Sequence, residues 1–313
     1  VGLGWGGMAE NGHIPVMASQ VMELLSPQAG QVGLDCTAGR GGHARLLAER
    51  LGGGGRLVAM DMDAANVAFV REAMAGLACE VEVVHGNFAT ARQVLDDLGL
   101  PGADVLLADL GFASTQMDDA QRGLSFKADG PLDMRLDTSQ PTTAADLVNR
   151  LGQRELADVI YEYGEERLSR RIARKIVDRR AQSPIRTTAD LARIVRRACG
   201  GRAGKPGRTG KADRGRIDPA TRTFQALRIA VNGELDALQS LLDSLPALLN
   251  PGGRAAIISF HSLEDRLVKR RFQQLRAEAS ATVLTKKPLT ADDDEAAANP
   301  RSRSAKLRAI RMA

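Results

Sequence analysis

The sequence predicts an α/β fold in which a mainly parallel sheet is wound between helices, interrupted by a helical insertion and completed by late strands. Three observations carry that expectation. Between residues 31 and 109, short apolar runs alternate with stretches of helical periodicity, and a glycine-rich turn lies between two acids early in the series. After Ala113 the alternation gives way to helices until about residue 218. The expected boundaries are an extension over 1–12, a core over 13–114 and 219–313, and an inserted basic helical domain over 115–218.

The chain has 313 residues, room for one substantial core plus a smaller unit. With 43% apolar but only 3% aromatic residues, that core must be built from Leu, Val, Ile and Ala. No apolar run reaches the length of a membrane span and no basic segment precedes an apolar one at the start, so the expected location is the cytoplasm. Cys36, Cys79 and Cys199 lack C-x-x-C spacing and the four histidines are scattered, so free thiols and no metal site are expected. The formal charge is only +5, but residues 161–230 hold 19 Lys and Arg against 7 Asp and Glu, leaving the remainder at −7. That segment is a candidate polyanion surface. The bland alternative is a merely solvated Arg-rich face.

Val1 to Gly7 has no periodicity, and Met8 is a plausible biological start. His13-Ile14-Pro15-Val16 then precedes an amphipathic pattern, Met17, Val21, Leu24 and Leu25, closed by Pro27 and Gly30. His13 reads first as a capping or packing residue, with a place beside the ligand or RNA as the alternative. The first strand is Val32 to Leu34, ended by Asp35. Thr37, Ala38, Gly39, Gly41 and Gly42 allow a tight turn that brings backbone close to a ligand, and His43 to Arg50 supplies the helix. A second strand, Leu57 to Met60, delivers Asp61, placed to accept hydrogen bonds from a ribose diol.

The strict G-x-G-x-x-G fingerprint is absent, because the run is Gly39-Arg40-Gly41-Gly42. S-adenosylmethionine fits this turn better than a dinucleotide. It brings no pyrophosphate to cradle, and its ammonium suits a carboxylate such as Asp35. A purely structural turn is the remaining reading.

A helix from Ala64 to Met74 leads to a third strand, Val81 to Val84, and His85-Gly86-Asn87-Phe88 follows where an adenine would lie. Asn87 is a candidate for a base edge and Phe88 for either core or adenine contact. Ala89 to Leu98 is the next helix. The fourth strand, Ala103 to Ala108, ends in Asp109-Leu110-Gly111, where a polar residue at the mouth of an apolar run marks a functional acid, with helix capping as the alternative. Gln116 to Arg135 is dense in polar groups and turn formers that can order a loop, with Asp133 and Arg135 either ordering it or binding RNA.

Helices are then expected over Ala144 to Leu151, Gln153 to Tyr161, Glu165 to Arg180 and Thr188 to Ala198, with a basic face of Arg167, Arg170, Arg171, Arg174 and Lys175. The glycine-rich link Gly200 to Gly215 has six basic residues between Arg202 and Arg216 suited to a phosphate backbone. A long helix from Thr223 to Leu242, a turn at Leu249 to Gly253 and a strand from Arg254 to Phe260 return the chain to the core. His261 and Ser262 lack the glycine-framed elbow of a nucleophile. A helix from Leu267 to Leu275, a strand from Thr282 to Lys286, an acidic loop at Asp292 to Glu295 and a strand from Lys306 to Arg311 finish the chain. The two late antiparallel strands suit a Rossmann-like class I S-adenosylmethionine-dependent methyltransferase sheet, ending in a C-terminal antiparallel hairpin, better than a nicotinamide domain.

These residues resemble the bacterial 16S rRNA (cytosine-N4)-methyltransferase family, MraW/RsmH. The matching runs are His13 to Val16, Asp35 with Thr37 to His43, Asp109 to Gly111, Arg122-Gly123 with Ser125-Phe126, DGPLDMR from Asp129 to Arg135, and YGEER from Tyr163 to Arg167. TRTFQALRI from Thr221, ISFHSLEDR from Ile258 and NPRSRSAKLR from Asn299 complete them. The resemblance implies methylation of N4 of cytidine 1402 in the decoding centre, with S-adenosylmethionine as donor and 16S rRNA in the small ribosomal subunit as partner. The candidate cofactor set is then Asp35, Gly39, Arg40, Gly41, Gly42, His43, Asp61, Asn87, Phe88, Asp109 and Gln116. Asp109 is expected to accept an N4 hydrogen, with His261 and Ser259 as further catalytic candidates. The departures are Cys36 for the family's usual glycine, Gln20 for a common glutamate, and Phe112 to Thr115 for a stretch nearer VSSP. A DNA or other RNA amino-methyltransferase and a non-catalytic RNA-binding scaffold are the alternatives. A homodimer is neither indicated nor excluded.

Overall fold

The computed structural model describes residues 15–200 and 218–313. His13 and most of the glycine-rich link fall outside these residues. The chain divides into two compact units, one formed by residues up to Phe112 together with Leu235–Ala313, the other by Ala113–Glu234.

The first unit is built on seven strands: β1 (Val32–Asp35), β2 (Arg56–Asp61), β3 (Glu80–His85), β4 (Ala103–Asp109), β5 (Leu249–Ser259), β6 (Ala281–Val283) and β7 (Lys306–Met312). Their order is β3-β2-β1-β4-β5-β7-β6, with β1 to β5 parallel and β7 antiparallel to both of its neighbours. Both faces are covered, which explains the near-continuous apolar strands. In β4, Val105 and Leu107 enter one core cluster while Leu106 and Ala108 enter the other. Each such fully buried Val or Leu contributes about 1.5–3 kcal/mol. Parallel alignment has a functional consequence: Asp35, Asp61, His85, Asp109 and Ser259, the last residues of β1 to β5, lie at one edge of the sheet.

Several elements differ from expectation. The turn expected at Leu249 to Gly253 is an irregularity within β5, where Leu249 pairs with Ala103 and Arg254 already with Val105. The helix expected from Leu267 begins at Ser262 and runs to Ala277, because His261 and Glu264 form its capping box. The acidic loop contains the helix Asp293–Ala298, capped by the Asp292 side chain on the Glu295 N–H. The single long helix expected over Thr223 to Leu242 is two, Ala220–Asn232 and Glu234–Leu248, separated by Gly233 at φ 59°. A left-handed glycine ends a helix at little cost. The apolar stripe therefore serves two cores: Phe224 and Leu227 are buried in the second unit, Leu238 in the first.

The second unit packs the helices Ala144–Arg150, Gln153–Gly164, Ser169–Arg180, Thr188–Ala198 and Ala220–Asn232. Gly164 sits where a Cβ would lie 2.6 Å from the Arg222 carbonyl oxygen, so the helix pair closes only over glycine. Arg135 orders the preceding loop. Its Nε and Nη2 donate to the two Asp133 oxygens at 2.7 Å, and its Nη1 donates to the carbonyls of Thr138 and Gln140.

Cys36 needs no shift of the turn. Its side chain is 2% exposed and packs beneath the sheet edge with Leu34, Val58 and Leu106. Burial pushes its thiol well above the ordinary range, so it is a small apolar filler. Alkylation of the native protein followed by mass spectrometry should modify the half-buried Cys199 before Cys36.

Candidate active site

The strand-end acids of the first unit converge on the glycine turn. Asp35 is fully buried. Its Oδ1 accepts from the Thr37 N–H at 3.0 Å, while its Oδ2 has no hydrogen-bond partner. Burial pushes its carboxyl up to about 7, with the Thr37 backbone hydrogen bond drawing it down and Asp61 raising it. The Thr37 hydroxyl accepts from the Asp109 N–H at 2.7 Å, so one threonine ties the end of β1 to the end of β4. Thr37 was visible only as a turn former in the sequence; its position two residues after Asp35 is the pattern of an Asx turn.

Asp109 is a largely enclosed acid, its side chain 14% exposed. Its Oδ1 is buried without a hydrogen-bond partner, and its Oδ2 lies 3.8 Å from His43 Nε2. Its carboxyl is also pushed up to about 7, first by burial; Arg301 draws it down, and Asp35 and Glu264 raise it. Arg301 and Glu264 were not singled out by sequence reasoning, since neither is near Asp109 along the chain.

The turn itself is built for close approach. Gly39 and Gly41 have φ of 53° and 81°, a region costly for other residues. The helix Gly42–Leu51 begins with Gly41 as its cap, with no side-chain cap bond and no acid in its first turn. Its N-terminal dipole therefore favours a carboxylate from outside the helix. Arg40 directs its guanidinium elsewhere, 3.4 Å from the centre of the Phe69 ring, which anchors the turn to the following helix.

Asp61 holds the turn from the other side. Its Oδ2 accepts from the Gly39 N–H at 2.7 Å, and its Oδ1 from the Asp63 N–H at 2.8 Å and Asn66 Nδ2 at 3.2 Å. Asn87 caps the next turn through the Ala89 N–H at 2.9 Å, and Phe88 packs half-buried against the core.

Two catalytic candidates are committed to the fold. Ser259 is buried and its hydroxyl donates to the Lys306 carbonyl at 3.3 Å, so its proton serves the β5–β7 pair. His261 caps the helix Ser262–Ala277: Nδ1 accepts from the Glu264 N–H at 3.4 Å and Nε2 lies 3.2 Å from Glu264 Oε1. Glu264 Oε2 in turn accepts from the Phe260 N–H at 2.8 Å and the His261 N–H at 3.2 Å. In the second unit, Gln116 is buried and its Oε1 accepts from the Ala113 N–H at 2.8 Å.

The unpartnered oxygens of Asp35 and Asp109, with an uncapped helix start between them in sequence, fit the ammonium and carboxylate of an amino-acid end and a nearby amine acceptor. A sheet of this order with one reversed strand, a glycine turn after β1 and acids ending β1, β2 and β4 define a class I S-adenosylmethionine-dependent methyltransferase. The MraW methylase family matches residues 10–313, and the chain belongs to that family. It is 50% identical to the ribosomal RNA small subunit methyltransferase H of Sorangium cellulosum, over 96% of this chain and 90% of the relative. Proteins of the same name from Syntrophotalea carbinolica and Geobacter sulfurreducens are 48% and 46% identical, over 96% and 95% of this chain and 97% of each relative.

Proposed function

We propose that the protein methylates the exocyclic N4 of cytidine 1402 in 16S rRNA of the small ribosomal subunit, in the cytoplasm, using S-adenosylmethionine. The observation that carries this reading is Asp109, a carboxyl at the mouth of β4 with one buried oxygen unpartnered. The similarity to ribosomal RNA small subunit methyltransferases supports an RNA acceptor.

When bound, S-adenosylmethionine supplies a methyl group already activated on a sulfonium. The protein's work is placement, which contributes several kcal/mol when reacting atoms are held about 3 Å apart. Cytosine N4 is a poor nucleophile because its lone pair is delocalised into the ring. The Asp109 carboxylate accepts one N4 hydrogen, favours the pyramidal nitrogen, and holds the proton that N4 sheds. A carboxyl held near 7 is suited to take that proton at neutral pH. The Asp35 carboxylate would hold the donor's ammonium, and the helix start at Gly42 would face its carboxylate, the Gly41 N–H being already bonded to the Ala38 carbonyl at 2.7 Å. Asp61 receives ribose hydroxyls through its remaining lone pairs. Asn87 and Phe88 complete the cofactor set of the first unit.

N4 lies on a pairing edge, so the target cytidine must be unpaired or extruded. The second unit offers phosphate contacts: Arg167, Arg170, Arg171 and Arg174 are all exposed. Replacing Arg170, Arg171 and Arg174 together by Gln should weaken RNA binding about tenfold at moderate salt and flatten its logarithmic salt slope by about 2. Fluorescence anisotropy across a salt series measures both.

The reading is tested with radiolabelled S-adenosylmethionine and small subunits lacking the modification, followed by mapping of the labelled nucleotide. Label at N4 of cytidine 1402 is expected. Label on DNA or on another nucleotide would replace the reading, and RNA binding without label would reduce the protein to a scaffold.

A further inference from the structure

The run Asn299 to Ser304 belongs neither to the strand-end acids nor to the glycine turn, yet it is built to present one side chain. Pro300–Ser304 forms a short turn whose start is capped by Asn299, with Oδ1 accepting from the Arg301 N–H. The buried Ser302 hydroxyl donates to the Asn299 carbonyl at 2.8 Å, and the Asn299 N–H donates to the Glu295 carbonyl at 2.7 Å. The turn directs Arg301 inward, where its Nη2 donates to the Phe112 carbonyl and its guanidinium lies 5.9 Å from the centre of the Phe260 ring.

Phe260 is itself fixed by its N–H on Glu264 Oε2, and its ring lies within 3.6 Å of where a Cβ on Gly111 would be. The segment Leu110 to Phe112, directly after Asp109, is therefore held by Phe260 on one part and by Arg301 on another. We infer that Arg301 is a positioning residue for methyl transfer: it fixes the loop after β4 and places a cationic charge beside Asp109 on the acceptor side.

This rests on Asp109 as the acceptor-side acid. The groups that face Asp109 are Asp35 at the end of β1, His43 on the helix Gly42–Leu51, Glu264 on the helix Ser262–Ala277, and Arg301. Of these, Asp35 and Glu264 oppose its ionisation and Arg301 favours it. Removal of Arg301 must then move Asp109 ionisation to higher pH, by about one pH unit for the loss of a near opposite charge.

The test measures single-turnover methylation at saturating donor from pH 5.5 to 9 in Arg301→Gln, Arg301→Met, Arg301→Lys and Asp109→Asn. Melting curves and donor affinity by calorimetry are recorded in parallel. Arg301→Gln and Arg301→Met should shift the rising limb of the rate about one pH unit upward and lose about tenfold in rate at pH 6.5, with less loss at pH 8.5. Donor affinity should stay within about threefold, since Arg301 lies on the acceptor side. Arg301→Lys, which keeps the charge, should keep the limb near its original position. A rate lowered by the same factor at every pH, or a Lys variant shifted as far as the Gln variant, would overturn the inference. Should Asp109→Asn retain the full rate, the reading of Asp109 fails; should it lose the rate while the Arg301 variants keep the limb unmoved, only the role of Arg301 fails.

Discussion

Asp109→Asn is expected to lower the methylation rate about a hundredfold while making the donor-free protein more stable above pH 7. The rate falls because an amide presents one acceptor oxygen but cannot take up the proton that N4 loses, and general-base assistance of this kind is worth about 10²–10⁴-fold. Donor affinity, measured separately, should change by no more than about threefold. The stability gain follows from burial. The Asp109 carboxyl is raised in the folded chain from 3.8 to about 7, so folding disfavours its charged form. The associated stability is present below pH 4 and is lost as pH rises through 7, a loss of up to about 4 kcal/mol. Asparagine carries no such charge. Melting curves should therefore coincide for the two proteins near pH 4 and separate in favour of the variant at pH 8. An active variant, or one less stable than the parent at pH 8, would remove Asp109 from the chemistry of transfer. Stability yielded to function at one buried carboxylate is a common feature of active sites.

The parts of this fold that could be read from the sequence are those governed by local pattern. β1, β2 and β4 are apolar because both faces of the sheet are covered there, and an acid after each apolar run marks its carboxyl end, so Asp35, Asp61 and Asp109 stand out in the sequence itself. The glycine turn was equally legible, since Gly39 and Gly41 occupy left-handed backbone. Elements that depend on distant partners were not. Gly233 interrupts a continuous apolar stripe, and nothing local says that the two halves serve different cores. His261 looks chemically active until Glu264 is seen closing a capping box with it. Ser259 looks available until β7 runs beside it. Thr37, Glu264 and Arg301 act on Asp109 across 72, 155 and 192 residues of sequence, distances over which periodicity carries no information.

The second large effect concerns Asp35 and the donor. A buried carboxyl near 7 with a free Oδ2 binds a cation only in its ionised form, so donor binding must release a proton wherever Asp35 is neutral in the free protein. Affinity for S-adenosylmethionine should then rise with pH up to about 7, by as much as tenfold per pH unit, and level off above it. Asp35→Asn removes both the charge and the titration. Its affinity should fall about 30-fold at pH 7.5, as for the loss of a buried charge-assisted hydrogen bond, and should be nearly flat between pH 5.5 and 7. Calorimetry in buffers of different ionisation enthalpy counts the released protons directly: close to one per donor at pH 6 in the parent, and none at this site in the variant. The Asp109→Asn protein provides the comparison, because it keeps Asp35 and should keep the proton release. A parent whose affinity is independent of pH, or an Asp35 variant that still releases the proton, would assign the ammonium to another group. The two acids thus separate by measurement although both titrate near 7: Asp35 governs how tightly the donor binds, and Asp109 how fast the bound methyl group leaves.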